Sequence, residues 1–504
     1  MYIARACFHN GILQYRLLCF QQLNNNLILW NNRSGRSNNY CKSAAQNMST
    51  LRNLIKPPEA VRGMTVLDKS KFDTPVTVPF LNIKDVKISD VIPFMKKYCL
   101  KMQHIKPLQS LVKEPHDNKH TGLLLNPGII NIWTDIDNCD RDALQKLSIT
   151  EADLSTTNIT IKYENFLAND VFKAVLPSEN EGFSSFSQVG HILHLNLREH
   201  LFPYKNLIAN VLLDKIPNTR TVINKIDIID NTYRNFKNEV LCGDHNMMVK
   251  IKENRCEFEF DFSKIYWNPR LSTEHERIVK LLNPNDVLFD VFAGVGPFSI
   301  PAAKKKCVVF ANDLNPDSYK WLNHNSKANK IDPQYLKTFN KDGRDFIISD
   351  LKLNLINYIN KHNVNIVMNL PALAVEFLSA FCDLYDADEI SEIVNPPIVH
   401  VYCFAKGENY EQIAKDLVFK NIGFDINDKI INIFKVRTVS SFKEMMRVSF
   451  KLDRDILVSS ISNKRKQDES ILDDEISSKR CCHINKEDGN EASMISVPEE
   501  NYNV

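Results

Sequence analysis

The chain has 504 residues, 43% of them hydrophobic, enough for about three domains with apolar cores. Lysine plus arginine (63) nearly balances aspartate plus glutamate (61), so any contact with nucleic acid must come from a local patch and not from a globally basic surface. Twelve scattered cysteines without a C-x-x-C pair argue against a zinc site or a secreted disulfide framework, and no apolar run reaches the roughly 18 to 20 residues that span a bilayer, so neither a metal nor a membrane is expected.

In chain order, residues 1–47 come first: they hold Arg5, Arg16, Arg33, Arg36 and Lys42 but no acidic residue, the composition of a mitochondrial transit peptide, with an arbitrary extension as the alternative. Initiation at Met48 would yield a product without this leader, which predicts a mitochondrial matrix form and a cytoplasmic or nuclear one. Residues 48–154 mix helix and strand signals, and the basic run Lys96, Lys97, Lys101 and Lys106 reads better as a solvated helix face than as a phosphate contact.

Residues 155–255 read as an α+β module. Val189, His191, Leu193, Leu195 and Leu197 alternate like a half-buried strand, Leu207, Ile208, Val211 and Leu212 recur at helical spacing, and Thr221 to Ile229 returns to strand. Residues 256–455 alternate apolar strands (Val287 to Phe292, Val308 to Asn312, Val364 to Met368, Val399 to Phe404) with helical segments, which predicts a parallel doubly wound α/β sheet. A hairpin of Ile430 to Val436 and Met446 to Leu452 closes its edge, and residues 456–504 form a polar tail with Lys464-Arg465-Lys466 that reads as disordered.

Four loops of the third region converge on one ligand. Asp290-Val291-Phe292-Ala293-Gly294-Val295-Gly296-Pro297-Phe298 lies where a strand gives way to a helix, the edge at which open α/β sheets bind cofactors. It is not the dinucleotide fingerprint, because position 299 is Ser. Asp313 ends the next strand, where a carboxylate accepts from a ribose diol; Asp342-Gly343-Arg344-Asp345 is placed to hold an adenine edge; Asn369-Leu370-Pro371 ends the fourth strand. Packing alone would also explain the glycine turn, turn formation Asp313, and a strand end Asn369. Asn395-Pro396-Pro397 looks like the loop of amino-methylating enzymes, but it precedes its strand and belongs to the opposite edge of the sheet.

Tyr266-Trp267-Asn268-Pro269-Arg270-Leu271-Ser272-Thr273-Glu274-His275, the Asp290 to Phe298 loop and Met368-Asn369-Leu370-Pro371-Ala372 together resemble the eukaryotic and archaeal tRNA guanine-N1 methyltransferases of position 37. The Pro57 to Met64 opening and Lys443-Glu444-Met445-Met446 match too, so the resemblance spans about residues 57 to 453. It implies a class I, Rossmann-like S-adenosylmethionine-dependent methyltransferase domain preceded by smaller α+β RNA-binding domains. The partner implied is tRNA with guanosine at position 37, methylated in support of reading-frame maintenance, and nothing suggests more than a monomer. By resemblance Glu274 is the general base, Arg234 offsets charge on the base and Asn369 positions the guanine. Tyr266, His275, Asp290, Gly294, Gly296, Asp313, Leu314, Asp342, Gly343, Asn369 and Pro371 line the cofactor site.

Guanine N1 carries a proton, so its methylation needs a base, and a carboxylate suits the task. Glu274 has a second reading: Thr273 and Glu276 form a capping-box pattern, which would put Glu274 in a first helical turn simply because carboxylates favour that end of the dipole. Two rival functions stay open on sequence. One is an aminocarboxypropyl transferase of wybutosine synthesis using the same cofactor; the other is a non-catalytic RNA-binding protein that retained the fold.

Overall fold

The computed structural model describes residues 55–84, 86–111, 120–177, 186–229, 236–390, 392–423 and 425–458. The leader, Met48, Arg234 and the tail lie outside the described residues. The chain forms two compact units: one takes residues up to Ser184 together with His200–Lys215, the other Ser185–Glu199 and everything from Ile216.

In the first unit β1 (Thr74–Ile83), β2 (Leu108–Leu111), β3 (His120–Leu124) and β4 (Leu154–Ile161) make an antiparallel sheet in the order β2-β3-β1-β4. Helices α1 (Ile88–Met95) and α2 (Asn138–Lys146) contribute Val91, Met95 and Leu144 to a core with Leu81, Leu123 and Trp133. The expected boundary at residues 154/155 is corrected here: β4 pairs with β1 from Leu81↔Leu154 to Thr74↔Ile161, so the sheet runs past it. Helices α3 (Ala168–Val175) and α4 (Lys205–Lys215) belong to this unit as well; the Tyr163 hydroxyl donates to Asp214 at 3.2 Å and the Lys215 ammonium stands 3.9 Å from the Tyr163 ring centre. In the basic run, Lys97 is engaged within the unit, pairing with Asp137 and Asp140.

In the second unit β5 (Phe186–Val189), β6 (Ile192–Leu195), β7 (Thr221–Ile229) and β8 (Phe236–Gly243) form a sheet in that order. The single strand expected from Val189 to Leu197 is instead a hairpin that turns at Gly190, φ +58°, with Val189 opposite Ile192. The alternation misled because Val189, His191 and Leu193 are all buried although the chain reverses between them. The boundary expected at 255/256 is corrected too: β9 (Met248–Glu253) and β10 (Cys256–Asp261) form one hairpin, closed by Asn254 and Arg255, both at positive φ as a tight primed turn requires.

The large sheet comprises β11 (Val287–Asp290), β12 (Val308–Asn312), β13 (Leu336–Phe339), β14 (Val364–Met368), β15 (Ile398–Lys406), β16 (Ile430–Ser440) and β17 (Lys443–Lys451), in the order β13-β12-β11-β14-β15-β17-β16. It is parallel through β15 and antiparallel beyond. Strands β11 and β14 are buried along their whole length, as central strands covered on both faces must be. One face carries Val287, Phe289, Ile366, Met368 and Val401; the other carries Leu288, Val309, Val367 and Tyr402, over which α5 (Ser272–Leu281), α6 (Ser299–Lys304) and α7 (Pro316–Ala328) contribute Ile278, Ile300 and Leu322. Since β12 and β14 flank β11 on opposite sides, the switch point of the sheet falls at the carboxyl end of β11, beside Asp290. Strand β13, which sequence did not single out, holds the far edge.

Candidate active site

At the carboxyl ends of β11 and β12 the geometry is built from backbone. The Asp313 carboxylate accepts from the Gly294 amide at 2.8 Å and the Asn315 amide at 2.9 Å, tying two loops into one cradle. Gly294 has φ +55° and Gly296 φ +96°, conformations that disfavour a side chain. A Cβ on Gly296 would stand 2.7 Å from Leu322 of α7, whereas one on Gly294 would meet nothing within 4 Å. Gly296 therefore seats the turn on its helix, and Gly294 leaves backbone open to a ligand.

Asp290 is fully buried; one oxygen accepts from the Ser299 hydroxyl at 2.6 Å, and burial pushes its pKa up to about 7. Burial raises Asp313 as well. Asp342 accepts from the Arg344 amide at 2.8 Å and caps the turn Gly343–Phe346; a Cβ on Gly343 would press on Phe292 at 2.8 Å. Leu314 and Tyr266 are exposed at 40% and 56%. His275 is sequestered: its Nδ1 meets Glu253 at 2.6 Å, and its ring stands edge-on to Phe298. Two buried acceptors of this edge, Asp290 Oδ1 and Asn369 Oδ1, have no hydrogen-bond partner among the described residues, as acceptors meant for a ligand's donors do. These residues fit a nucleoside cofactor with a ribose diol and an amino group.

The neighbouring half of the edge is built from side chains. Register pairs Asp290 with Val367, Val367 with His400, Met368 with Val401, Tyr402 with Arg447 and Arg447 with Phe434. Asn369 follows on beside Tyr402, and the Phe404 amide donates to the Pro371 carbonyl at 3.1 Å, so Asn369, Tyr402, Arg447 and Phe434 share one row just beyond Asp290. Glu274, 2% exposed, reaches this row from α5: its Oε1 accepts from the Tyr402 hydroxyl at 2.9 Å and from Arg447 at 2.7 Å, and its Oε2 accepts from Arg277. Glu274 thus turns toward the carboxyl edge of the sheet that also carries Asn369 and Asp290.

The capping-box reading of Thr273 and Glu276 is corrected. Helix α5 starts at Ser272, continuing a 3-10 turn Pro269–Leu271; Thr273 lies inside it, no side chain caps it, and Glu276 pairs with Lys280. Asn395 is confirmed at the opposite edge, its side chain on His362 and Asn363. Glu444 of the Lys443 to Met446 motif is buried and accepts from Lys435 at 2.8 Å and Thr438 at 3.0 Å, bracing the hairpin β16–β17.

Sequence reasoning missed Tyr402, Arg447, Arg277 and Phe434. Arg277, three residues after Glu274, carried a local signal. Arg447 carried another, a cation inside the apolar run Met445-Met446-Arg447-Val448, which in a central strand demands a buried partner.

Residues 249–425 match the TRM5/TYW2 methyltransferase domain, and residues 168–246 the TYW2 N-terminal domain. A Drosophila melanogaster protein named tRNA (guanine(37)-N(1))-methyltransferase is 47% identical over 83% of this chain and 92% of its own. This chain belongs to the tRNA (guanine(37)-N(1))-methyltransferase family. A human member is 43% identical over 80% of this chain and 79% of its own. A solved complex of aTrm5 and tRNALeu shares the fold, with a TM-score of 0.50 and 19% identity over 75% of this chain and 99% of that one. Membership in the family makes the chain a methyltransferase and its large-sheet domain the catalytic one.

Proposed function

We propose that this chain transfers the methyl group of S-adenosylmethionine to N1 of guanosine 37 in tRNA, with Glu274 as general base. The observation that carries the reading is a buried carboxylate held by side chains on the row of Asn369, next to a backbone-built nucleoside cradle. When bound, the donor supplies an electrophilic methyl on a positively charged sulfur. The chain's own residues do the rest. Asp313 and the open backbone at Gly294 hold the nucleoside, Asp290 and Asn369 offer acceptors, and Asn369 orients the guanine. Glu274 takes the N1 proton as the nitrogen attacks. By resemblance Arg234 offsets the charge gathering on O6.

Aminocarboxypropyl transfer is the competing chemistry, and a methyltransferase name on relatives of 43% to 49% identity favours methyl. Incubation with the donor and unmodified tRNA bearing guanosine 37, followed by nucleoside mass mapping, is expected to show one methyl on that base. An amino-acid-sized adduct, or no product, would refute the proposal. The acid-free leader and Met48 support a mitochondrial form and a second, leaderless pool; a reporter fused to residues 1–47 is expected to enter mitochondria, and a diffuse signal would refute that.

A further inference from the structure

The two oxygens of Glu274 are held in different ways. Oε1 takes two donors, Tyr402 and Arg447, whose side chains are buried; that of Arg447 is 5% exposed. Oε2 takes one recorded donor, Arg277, 36% exposed and stacked over Phe434 at 4.2 Å from the ring centre. A carboxylate offers about four lone-pair positions, so Oε1 is filled and Oε2 is the oxygen open to a newcomer. A cation on that oxygen opposes the proton acceptance that N1 methylation requires.

We propose that Arg277 is a gating partner of Glu274: it occupies Oε2 in the free protein, gives way when guanosine enters, and leaves that oxygen to the N1 proton while Tyr402 and Arg447 keep the carboxylate in place. This rests on Glu274 being the base. In the step itself the N1–H bond breaks and its proton goes to Oε2. The N1–methyl bond forms as the carbon–sulfur bond breaks, and the bonding pair leaves on sulfur. The glutamic acid formed returns its proton to solvent when product departs and Arg277 closes again.

Arg277 is suited to this part. It lies one helical turn from Glu274, so a change of rotamer suffices, and its side chain is 36% exposed where that of Arg447 is 5%. Arg447 also stands over Phe434, at 5.2 Å, but is locked between strands. The other titratable groups around the carboxylate do not compete. Burial and the neighbouring carboxylate push the Tyr402 phenol well above its ordinary range, so it remains a donor. Burial and Arg447 push His400 down to about 3, so it stays neutral. His275, next in the helix, is committed to Glu253.

The test is the pH dependence of methyl transfer by the full chain with donor and tRNA, because kcat/KM reports the free protein and kcat the loaded complex. For Arg277→Met the acid limb of kcat/KM is expected to move upward by about 1 to 3 pH units, the usual effect of removing a paired cation, while the acid limb of kcat stays at its wild-type position. Arg277→Gln should move the kcat/KM limb the same way by less, and Arg277→Lys should restore it. Tyr402→Phe, which removes a donor that stays through the reaction, should move both limbs. Equal movement of both limbs in Arg277→Met would show that Arg277 never leaves. A uniform loss of kcat/KM with no movement would make it a tRNA contact, and no change in either limb would make it surface charge; each overturns the proposal. If Glu274→Gln retains wild-type transfer, the base assignment itself has failed; if it loses transfer and Arg277→Met moves no limb, only the gate has.

Discussion

The two halves of the large sheet's carboxyl edge solve different problems with different materials. At β11 and β12 the chain grips through backbone: two glycines at positive φ and a carboxylate that collects two amides. At β15 and β17 it works through side chains drawn from far apart in sequence, with Glu274 meeting Tyr402 and Arg447 at 128 and 173 positions' separation. A backbone cradle recognises a constant molecule and can be written as a short motif. The proposed base, if it is to shed one partner on demand, needs side chains with separate freedoms, and these come from wherever the fold delivers them.

If the halves are independent, damage to one should spare the other. The largest effect is expected from Arg447→Met, which takes from Glu274 the buried one of its two cations; loss of one member of a buried pair costs about 3 to 5 kcal/mol. Thermal unfolding should fall accordingly, while isothermal titration of S-adenosylmethionine into the folded protein stays near wild type; a matching loss of donor affinity would break the separation. Next comes Gly296→Ala, whose methyl strikes Leu322 and whose φ of +96° is strained for alanine, a penalty of roughly 1 to 3 kcal/mol. Donor affinity should weaken about 10- to 100-fold, with the transfer rate at saturating donor preserved.

The smallest effect concerns pH. Asp290 is raised from 3.8 to about 7 in the folded protein, so its contribution to stability is fully present below pH 3.8 and is lost as pH rises toward 7. Asp290→Asn should flatten that part of the donor-free stability profile between pH 4 and 7, measured as Tm against pH. A slope identical to wild type would show that the carboxyl ionises freely.

Legibility followed the same division. Strands β11, β12 and β14, with their loops, were readable because each is a mostly apolar run that gives way to Asp or Asn at the edge where ligands bind. β13 escaped because Leu336–Phe339 is short and carries a lysine and a threonine. The boundaries at 154/155 and 255/256 were misplaced for one reason: strand pairing across them, Phe80 with Ser155 and Glu253 with Cys256, leaves no local trace. Glu274 could be named through the resemblance and Arg277 carried a signal in its spacing from it, but Tyr402 and Arg447 could not be tied to it, since nothing near residues 402 or 447 points to residue 274.

The central claim is that Glu274 accepts the N1 proton, and the direct measurement is single-turnover methyl transfer to guanosine-37 tRNA by Glu274→Gln beside wild type, with donor affinity measured on the same samples. Glutamine keeps the shape and an acceptor for Tyr402 and Arg447 but cannot act as the base, so the rate is expected to fall by roughly 10²-fold or more with donor binding unchanged. Transfer within a few-fold of wild type would contradict the account.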